Sequence, residues 1–558
     1  MSPSKKIIWV VICVSFGLLI SKINKPKKEA AIVTGHPQAT KIGKYILEKG
    51  GNAIDASIAT QLALAVCFPR AGNIGGGGFM IYRTKDSEYF SLDFRERAPL
   101  KSSKNMYLDD EGKLIDSLST FGNYAVGVPG TISGIFDAHK KFGSLSIEEL
   151  FEPAISIAEN GFIIDTRQAE LLNKHKQDFI KFNPKNNYFI KEKKWKNGDT
   201  LIQKDLANTL KIIRDKKRKG FYNGEITKKI IESVGTESLL SLEDFSSYKS
   251  VWRKPIVSKI NEYKIISMPP PSSGGIALSQ LIKMLFNFET KNLKHNSAQY
   301  IHLLTEIEKL VYADRSKYLG DSDFYKVPIK KLLNENYLQN QSKKINLNKP
   351  NPSKKINPGN LNHNESEETT HFSIIDFEGN AVSITTTLNT NFGSKVFVDD
   401  LGFLLNNEMD DFSSKPGSPN TYGLIGSEAN SIEPGKRMLS SMTPTIIEEK
   451  DDLFLILGSP GGSTIITSVF QTFLNLILFN MDIQSAVDKP RFHHQWLPDY
   501  IYLEKNSFNP LTIDSLKLQG HQIKERSSMG HVNAIYIGEK IKIGADNRGS
   551  NSGLIISK

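Results

Sequence analysis

The chain changes character at Thr369-Thr370-His371-Phe372-Ser373, which directly follows a long polar stretch. Residues 339–368 are rich in Asn, Lys, Pro and Ser, which predicts a mobile surface segment. Two runs of β-forming residues then follow, at 371–375 and 381–388. The intervening residues 376–380, which read Asp-Phe-Glu-Gly-Asn, predict a hairpin. A strand therefore begins abruptly at the end of a polar segment.

Helical and strand patterns alternate along the rest of the chain, which predicts an α/β (α+β) protein. Residues 145–338 are expected to be mainly helical, with a rigid turn at 268–275. Four consecutive glycines at 75–78 predict a turn where the backbone closely approaches another surface. Helices are predicted at 39–50, 53–66 and 465–478, and strands at 79–83, 445–447 and 453–457.

Composition excludes several classes of protein. The 71 basic and 60 acidic side chains give a net charge of +11, but the lysines are scattered and accompany no nucleic-acid-binding motif. We therefore expect no nucleic-acid partner. Only two cysteines are present, Cys13 and Cys67, which excludes a disulfide framework and a cysteine-rich metal site. Cys67 lies in an apolar run and is expected to be a small core residue.

The N-terminus has the pattern of an export signal. Two lysines precede an apolar run at 7–20, and further lysines follow it. The run is shorter than the roughly 20 residues of a spanning helix, and no clear cleavage motif follows. A signal peptide over 1–29 and an uncleaved signal anchor both remain open. We expect an exported protein, periplasmic or extracellular, with a membrane anchor as the alternative.

The threonine at the start of this strand is also a candidate nucleophile. A threonine at a strand start is usually only a β-forming residue. Its hydroxyl becomes a useful nucleophile when a base lies beside it, and its own α-amine can serve if the preceding peptide bond is cut. A cut between Glu368 and Thr369 would free that amine.

Ordered motifs over nearly the whole chain from about residue 30 support this interpretation. The sequence resembles the γ-glutamyltranspeptidase family. The matching blocks are 75–78, 92–96 (Leu-Asp-Phe-Arg-Glu), the turn at 268–275, 369–373, 379–389, 392–393, 404–412 (Leu-Leu-Asn-Asn-Glu-Met-Asp-Asp-Phe), 440–445 (Ser-Ser-Met-Thr-Pro-Thr), 458–462 and 490–495.

The resemblance implies an αββα four-layer sandwich of the N-terminal-nucleophile hydrolase type. It implies a large subunit, 30–368, and a small catalytic subunit, 369–558, both from one precursor. Thr369 is then the nucleophile and Thr387 the hydroxyl that hydrogen-bonds to it. The implied substrates are glutathione and other γ-glutamyl compounds, whose acyl group passes to water, an amino acid or a dipeptide. No cofactor or metal is expected.

The resemblance also assigns the remaining site residues, and these assignments suit the two charges of a γ-glutamyl group. The resemblance assigns its α-carboxylate to Arg95, Ser440 and Ser441, and a guanidinium suits a carboxylate. It assigns the α-ammonium to Asp411, with Asn389 and Glu408 beside it. Gly461 and Gly462 match the donors to the oxyanion. Residues 419–424 match a lid loop, with Tyr422 closing over the substrate.

Two alternatives remain open. A glutaryl-cephalosporin acylase of the same fold would keep the nucleophile without recognising an ammonium group. A non-catalytic scaffold or binding protein would retain only the fold. The neighbouring His493 and His494 resemble a metal pair, but no third ligand is evident, so we expect them to be structural. His371 is expected to be structural as well.

Overall fold

A computed structural model describes residues 28–115, 117–183, 185, 187–235, 238–356, 369–415 and 427–558. The predicted signal segment, Glu368 and the lid with Tyr422 lie outside the described residues. Within the described part of the chain, no helix is both long enough and apolar enough to cross a membrane.

Sixteen α-helices occur in the described residues. They are α1 (Pro37–Glu48), α2 (Ala53–Cys67), α3 (Thr131–Phe142), α4 (Ile147–Asn160), α5 (Thr166–Lys174), α6 (Lys176–Phe182), α7 (Lys204–Tyr222), α8 (Glu225–Val234), α9 (Leu242–Ser247), α10 (Gly274–Leu285), α11 (Ala298–Tyr318), α12 (Ile329–Leu332), α13 (Glu335–Ser342), α14 (Thr464–Ile477), α15 (Ile483–Asp488) and α16 (Pro510–Gln519).

Twenty strands accompany them in the same residues. They are β1 (Glu29–Thr34), β2 (Gly77–Arg83), β3 (Tyr89–Asp93), β4 (Phe162–Ile163), β5 (Thr200–Leu201), β6 (Val251–Arg253), β7 (Ile256–Ile260), β8 (Tyr263–Ser267), β9 (Thr370–Ile375), β10 (Ala381–Thr387), β11 (Phe397–Val398), β12 (Phe403–Leu404), β13 (Thr445–Glu449), β14 (Asp452–Gly458), β15 (Phe492–His493), β16 (Ile501–Glu504), β17 (Ile523–Arg526), β18 (Asn533–Ile537), β19 (Ile541–Ala545) and β20 (Ser552–Ser557).

Two large antiparallel sheets form the centre of the molecule. The first has seven strands in the order β20-β1-β9-β10-β2-β3-β6, and the second has six in the order β19-β18-β14-β13-β8-β7. Strands from before and after Thr369 are interleaved in the first sheet, because β1 lies between β20 and β9, and β10 pairs with β2. The two parts of the chain are therefore woven into one sheet.

The sheets pack face to face, and helices cover both outer faces. Side chains from both sheets form the apolar layer between them, among them Ala31, Val33, Phe79, Ile81, Ile266, Ile446, Ile456 and Ile535. The alternate residues Met80 and Tyr82 of β2 instead pack against α2 and its neighbours. On the opposite side, α10, α11 and α14 cover the second sheet. The expected αββα sandwich is confirmed.

The predicted hairpin after Thr369 is confirmed as β9 and β10. Asp376 closes its turn, because its Oδ1 accepts from the backbone N–H groups of Glu378 and Asn380 at 2.9 and 3.0 Å. Gly379 has a positive φ of 91°, which favours glycine. The other carboxylate oxygen of Asp376 accepts from the N–H of Ala53, so the hairpin is also fastened to the start of α2.

The glycine run meets the close approach that the sequence predicts. A Cβ on Gly75 would lie 2.2 Å from the carbonyl oxygen of Leu404. A Cβ on Gly76 would lie equally close to the carbonyl oxygen of Thr387. Neither distance leaves room for a side chain, so these glycines let β2 start directly beside the end of β10.

The structure differs from the expected mobile segment over 339–356, where the chain is held through its backbone. Trp496 Nε1 donates to the carbonyl oxygens of Ser353 and Ile356 at 3.0 and 3.1 Å. The N–H of Ser353 donates to Asp499 Oδ2 at 2.9 Å. Because these contacts use main-chain groups, the polar composition of the segment gave no sign of them.

Replacing Trp496 with Phe tests this attachment. The substitution keeps an aromatic ring but removes the donor to both carbonyl groups. The lost hydrogen bonds are worth about 1–2 kcal/mol. The fraction of molecules in which residues 353–356 are detached from position 496 should therefore rise about 5- to 30-fold. We expect trypsin to cut after the exposed Lys354 or Lys355 correspondingly faster, as measured by mass spectrometry.

Trp195→Phe provides the matched control, because Trp195 Nε1 also donates to a backbone carbonyl, that of Phe189, at 2.8 Å. This control should leave cleavage at 354–355 unchanged. Equal rates in wild type and Trp496→Phe would contradict the proposed attachment.

Candidate active site

The pairing of β9 with β10 places the candidate nucleophile opposite its expected partner. Thr370 pairs with Thr386, so the antiparallel register continues to Thr369 opposite Thr387. Both threonines are buried and line the same cavity. Thr387 Oγ accepts from the N–H of Asn389 at 2.7 Å, which fixes the orientation of this hydroxyl.

The cavity beside Thr369 brings most of the predicted site residues together. These residues come from distant parts of the chain, and the sandwich joins them at one end of the two sheets. The predicted residues in its wall are Arg95, Thr369, Thr387, Asn389, Glu408, Asp411, Ser440, Ser441 and Gly462. Gly461 is not part of the wall itself but directly precedes Gly462 in the sequence.

Arg95 is the central cation of the cavity and is only 1% exposed. Its NH1 lies 2.5 Å from Glu408 Oε2, and its NH2 donates to Asp411 Oδ2. Burial lowers the pKa of Arg95, but the neighbouring carboxylates outweigh this and raise the pKa above its usual value. The residues expected to hold the two opposite charges of a substrate thus contact each other. A zwitterionic group that binds both must bridge or separate them.

Three carboxyl groups surround this one guanidinium. Burial raises the pKa of Glu96 to about 8, although Arg95 opposes the shift. Burial also raises the pKa of Glu408 well above its usual value and raises that of Asp411, again against the effect of Arg95. Three buried negative charges would exceed the charge of Arg95, so protons on these carboxyl groups bring the cluster closer to neutrality.

The proline-rich turn at 268–275 supports the two predicted serines. The N–H and the hydroxyl of Ser273 both donate to the carbonyl oxygen of Ser440 at 2.8 Å. Ser272 Oγ donates to the carbonyl oxygen of Met442 at 2.7 Å. In return, the N–H of Ser440 donates to the carbonyl oxygen of Pro271 at 2.9 Å. The turn therefore holds the Ser440–Ser441 backbone from both sides.

Gly461 and Gly462 form the turn between β14 and α14. Their φ angles are 131° and 53°, both in the region that favours glycine. A Cβ on Gly461 would lie 2.6 Å from Thr464 Oγ, the hydroxyl that donates to the Gly461 carbonyl. The glycine pair thus permits a tight turn directly before a helix N-terminus, where backbone N–H groups favour negative charge.

Sequence reasoning missed several residues of the cavity wall, above all Arg315 on α11. Asn430 is another, and its side chain donates to the carbonyl oxygen of Asp411 at 2.7 Å. The others are Phe412, Ser413, Leu439, Met442, Ser463 and Ile465. The sequence did not single out Arg315, because α11 also carries the charged residues Glu306, Glu308, Lys309 and Asp314, all of them buried.

The histidines singled out in the sequence are buried and make hydrogen bonds within the protein. His371 is buried, and its ring nitrogens contact the hydroxyls of Thr385 and Ser373 at 2.9 and 3.0 Å. Burial lowers the pKa of His371 to about 3 and that of His494 to about 4, so both are neutral at physiological pH. In the described residues, no group of three His, Cys, Asp or Glu side chains is arranged to hold a metal.

Glu96→Gln tests the protonated cluster. With its pKa raised from about 4.5 to about 8, native Glu96 keeps a proton that the unfolded chain loses. Its contribution to stability is therefore fully present below about pH 4.5 and is lost as pH rises towards 8. The amide that replaces this carboxyl group cannot ionise. As the pH rises from 5 to 8.5, we expect the melting temperature of the variant to increase relative to that of the wild type.

Glu448→Gln is a control of opposite sign. Burial raises the pKa of Glu448, but hydrogen bonds from Lys264 and Arg83 outweigh burial and lower the pKa overall. This variant should be less stable than wild type at neutral pH, with the difference shrinking on acidification. Parallel pH profiles for wild type and Glu96→Gln would refute the assignment of a proton to Glu96.

Comparison with known proteins agrees with the geometry. The family model described as gamma-glutamyltranspeptidase matches residues 39–556. The chain is 42% identical over 514 residues to the glutathione hydrolase proenzyme of Escherichia coli K12, covering 92% of this chain and 88% of that one. It is 44% identical over 536 residues to the glutathione hydrolase proenzyme of Pseudomonas aeruginosa, covering 94% of each.

Two solved structures extend the comparison. The γ-glutamyltranspeptidase of Helicobacter pylori is 44% identical, with a TM-score of 0.57 over 58% of this chain and 94% of that one. The cephalosporin acylase of Bacillus halodurans has a TM-score of 0.83 over 95% of this chain and 96% of that one. At 24% identity, the acylase supports the fold alone. The sequence match and the shared architecture together show that the chain belongs to the γ-glutamyltranspeptidase family.

Proposed function

We infer that this protein is a γ-glutamyltransferase and glutathione hydrolase that matures by cutting itself before Thr369. One observation carries the proposal. Thr369, at the start of β9, shares a cavity with Arg95 and Asp411, a cation and an anion suited to the two charges of a glutamyl group. The relatives' printed name, glutathione hydrolase proenzyme, supports both the substrate and the maturation.

Maturation begins with the hydroxyl of Thr369. Its oxygen attacks the carbonyl carbon of Glu368, the C–N bond breaks, and the hydroxyl proton passes to the departing nitrogen. Water then hydrolyses the resulting ester, which leaves a carboxylate on Glu368 and a free amine and hydroxyl on Thr369. The fixed hydroxyl of Thr387, opposite Thr369 in the register, orients the nucleophile.

The freed amine then acts as the base in catalysis. It takes the proton from the Thr369 hydroxyl as the oxygen attacks the γ-carbonyl of the substrate. The backbone N–H groups of Gly461 and Gly462 stabilise the oxyanion, a role worth about 10²–10³ in rate for one donor. The amine leaving group departs with a proton, and the γ-glutamyl group stays on Thr369 as an ester. All these groups come from the chain, so the mechanism uses no cofactor.

Release of the acyl group completes the cycle. Water gives glutamate, whereas the amine of an amino acid or dipeptide gives a new γ-glutamyl compound. Arg95, Ser440 and Ser441 hold the α-carboxylate throughout. Asp411 holds the α-ammonium, supported by Asn389 and Glu408, and Tyr422 closes the lid over the glutamyl group.

The subunits and the location form part of the same proposal. The large subunit covers 30–368 and the small one 369–558, and the shared seven-stranded sheet keeps them together after the cut. The basic and apolar N-terminal segment directs export to the periplasm or the exterior, as a cleaved signal or as an anchor.

Self-cleavage is tested with Thr369→Ala. A denaturing gel of the wild type should show two bands, and N-terminal sequencing of the smaller should begin at Thr369. The alanine variant lacks the attacking oxygen and should remain one uncut chain without activity. Thr369→Ser, which keeps a hydroxyl, should still mature. An uncut wild type, or a cut elsewhere, would refute the mechanism and favour a non-catalytic scaffold.

Substrate choice is tested with γ-glutamyl p-nitroanilide and glutaryl p-nitroanilide, which differ only in the α-ammonium group. A glutaryl group has no ammonium to donate to Asp411, so a hydrogen bond between charged groups worth about 1.5–3 kcal/mol is not formed. We expect kcat/KM for the γ-glutamyl compound to be about 10- to 150-fold higher. Asp411→Asn should narrow this ratio. A ratio near one, or a preference for glutaryl, would favour the acylase alternative.

A further inference from the structure

Arg315 is a second guanidinium in the wall of the candidate active site. It lies near the end of α11, is 5% exposed, and lines the cavity with Thr369 and Ser441. Burying a charged group costs free energy that must be offset by good partners. Because Arg315 is buried in the same cavity as the candidate nucleophile, the groups that it contacts there determine its role.

The contacts of Arg315 join the two loops that form the carboxylate end of the cavity. Its Nε donates to Ser273 Oγ at 3.0 Å, and its NH2 donates to Ser441 Oγ at 3.0 Å. Ser273 in turn donates to the carbonyl oxygen of Ser440. Arg315 thus braces the proline-rich turn against the Ser440–Ser441 loop, and only a forked side chain can reach both hydroxyls at once.

The contact with Ser441 also sets the direction of a proton. A serine hydroxyl has one hydrogen to donate and two lone pairs to accept with. A guanidinium is always protonated and can only donate, so Ser441 Oγ must accept from Arg315. The hydrogen of Ser441 therefore points away from Arg315. A carboxylate, which only accepts, needs such a donor.

The positive charge of Arg315 also favours a carboxylate ligand. Burial raises the pKa of Asp411, and Arg315, after Arg95, is one of the charges that oppose this rise. Arg95 and Arg315 supply two guanidinium groups to the cavity wall, and Asp411 and Glu408 supply two carboxyl groups. A site that offers donors to a carboxylate and acceptors to an ammonium suits a zwitterion better than a ligand with a single charge.

We propose that Arg315 is a positioning residue that fixes the Ser441 hydroxyl as a hydrogen-bond donor to the α-carboxylate of the substrate. The proposal rests on the γ-glutamyl specificity inferred above. Arg315 makes the carboxylate subsite rigid and acts through Ser441, whereas the chemistry stays with Thr369.

The test compares wild type, Arg315→Gln, Arg315→Lys, Ser441→Ala and the double variant Arg315→Gln/Ser441→Ala. Two substrates are used, γ-glutamyl p-nitroanilide and 4-aminobutanoyl p-nitroanilide, which carries a hydrogen in place of the α-carboxylate. In Arg315→Gln, we expect KM for the carboxylate substrate to rise about tenfold, while kcat changes less than about threefold. KM for the 4-aminobutanoyl substrate, which has no acceptor for Ser441, should stay near the wild-type value.

The remaining variants separate positioning from general damage. The double variant should be no worse than the more impaired single variant, because both changes remove the same contact. Arg315→Lys should recover only part of the lost affinity, since an ammonium cannot bridge two hydroxyls. Arg83→Gln is the control, because Arg83 is as buried as Arg315 (6% exposed) but binds Glu448. It should leave the KM ratio of the two substrates unchanged.

Each outcome decides the proposal. An unchanged KM, equal losses on both substrates, or fully additive effects would overturn it. If Arg315→Gln fails to mature on a denaturing gel, the comparison of Arg315→Lys with Ser441→Ala decides on the same criteria. Wild-type enzyme that does not turn over the γ-glutamyl compound would overturn the proposed function and this inference together. Wild-type activity with an unaffected Arg315→Gln variant would overturn only the inference.

Discussion

The central position of β9 is the constraint on which the site depends. This strand pairs with β1 on one side and β10 on the other, and both pairings fix its register. A slip of one residue would turn every side chain of β9 to the opposite face of the sheet. Because both faces are buried, such a slip would cost the packing of two cores. Thr369 is thereby held opposite Thr387 at the end of the strand.

The same pairing explains how one chain could be cut without coming apart. In the seven-stranded sheet, β1 from before Thr369 lies between β20 and β9 from after it, and each strand shares hydrogen bonds with its neighbours. The attachment of residues 353–356 to Trp496 and Asp499 adds a second junction between the two parts. Separation would expose the apolar layer between the sheets to water. The two parts therefore cannot dissociate without unfolding.

Charge balance is the second organising feature of the cavity. Arg95 contacts Glu408 and Asp411 directly, and burial raises the pKa of these two carboxyl groups and of Glu96. We expect such a site to favour a zwitterion, whose two charges can replace the contact between Arg95 and Asp411, over a ligand with one charge. The arrangement therefore links stability, protonation and substrate choice through a small group of residues.

The sequence by itself determined the local features of this protein. The hairpin after Thr369, the glycine turns and the family motifs all rest on short-range patterns, and the structure contains them where expected. Only the tertiary structure decided the contacts between distant segments. It revealed the ion pair of Arg95 with Asp411 and the hold of Trp496 on a polar segment. It also placed Arg315 against Ser441, 126 positions along the chain. Hydrophobic periodicity predicts which face of a helix or strand is buried, but it does not encode which distant segments that face meets.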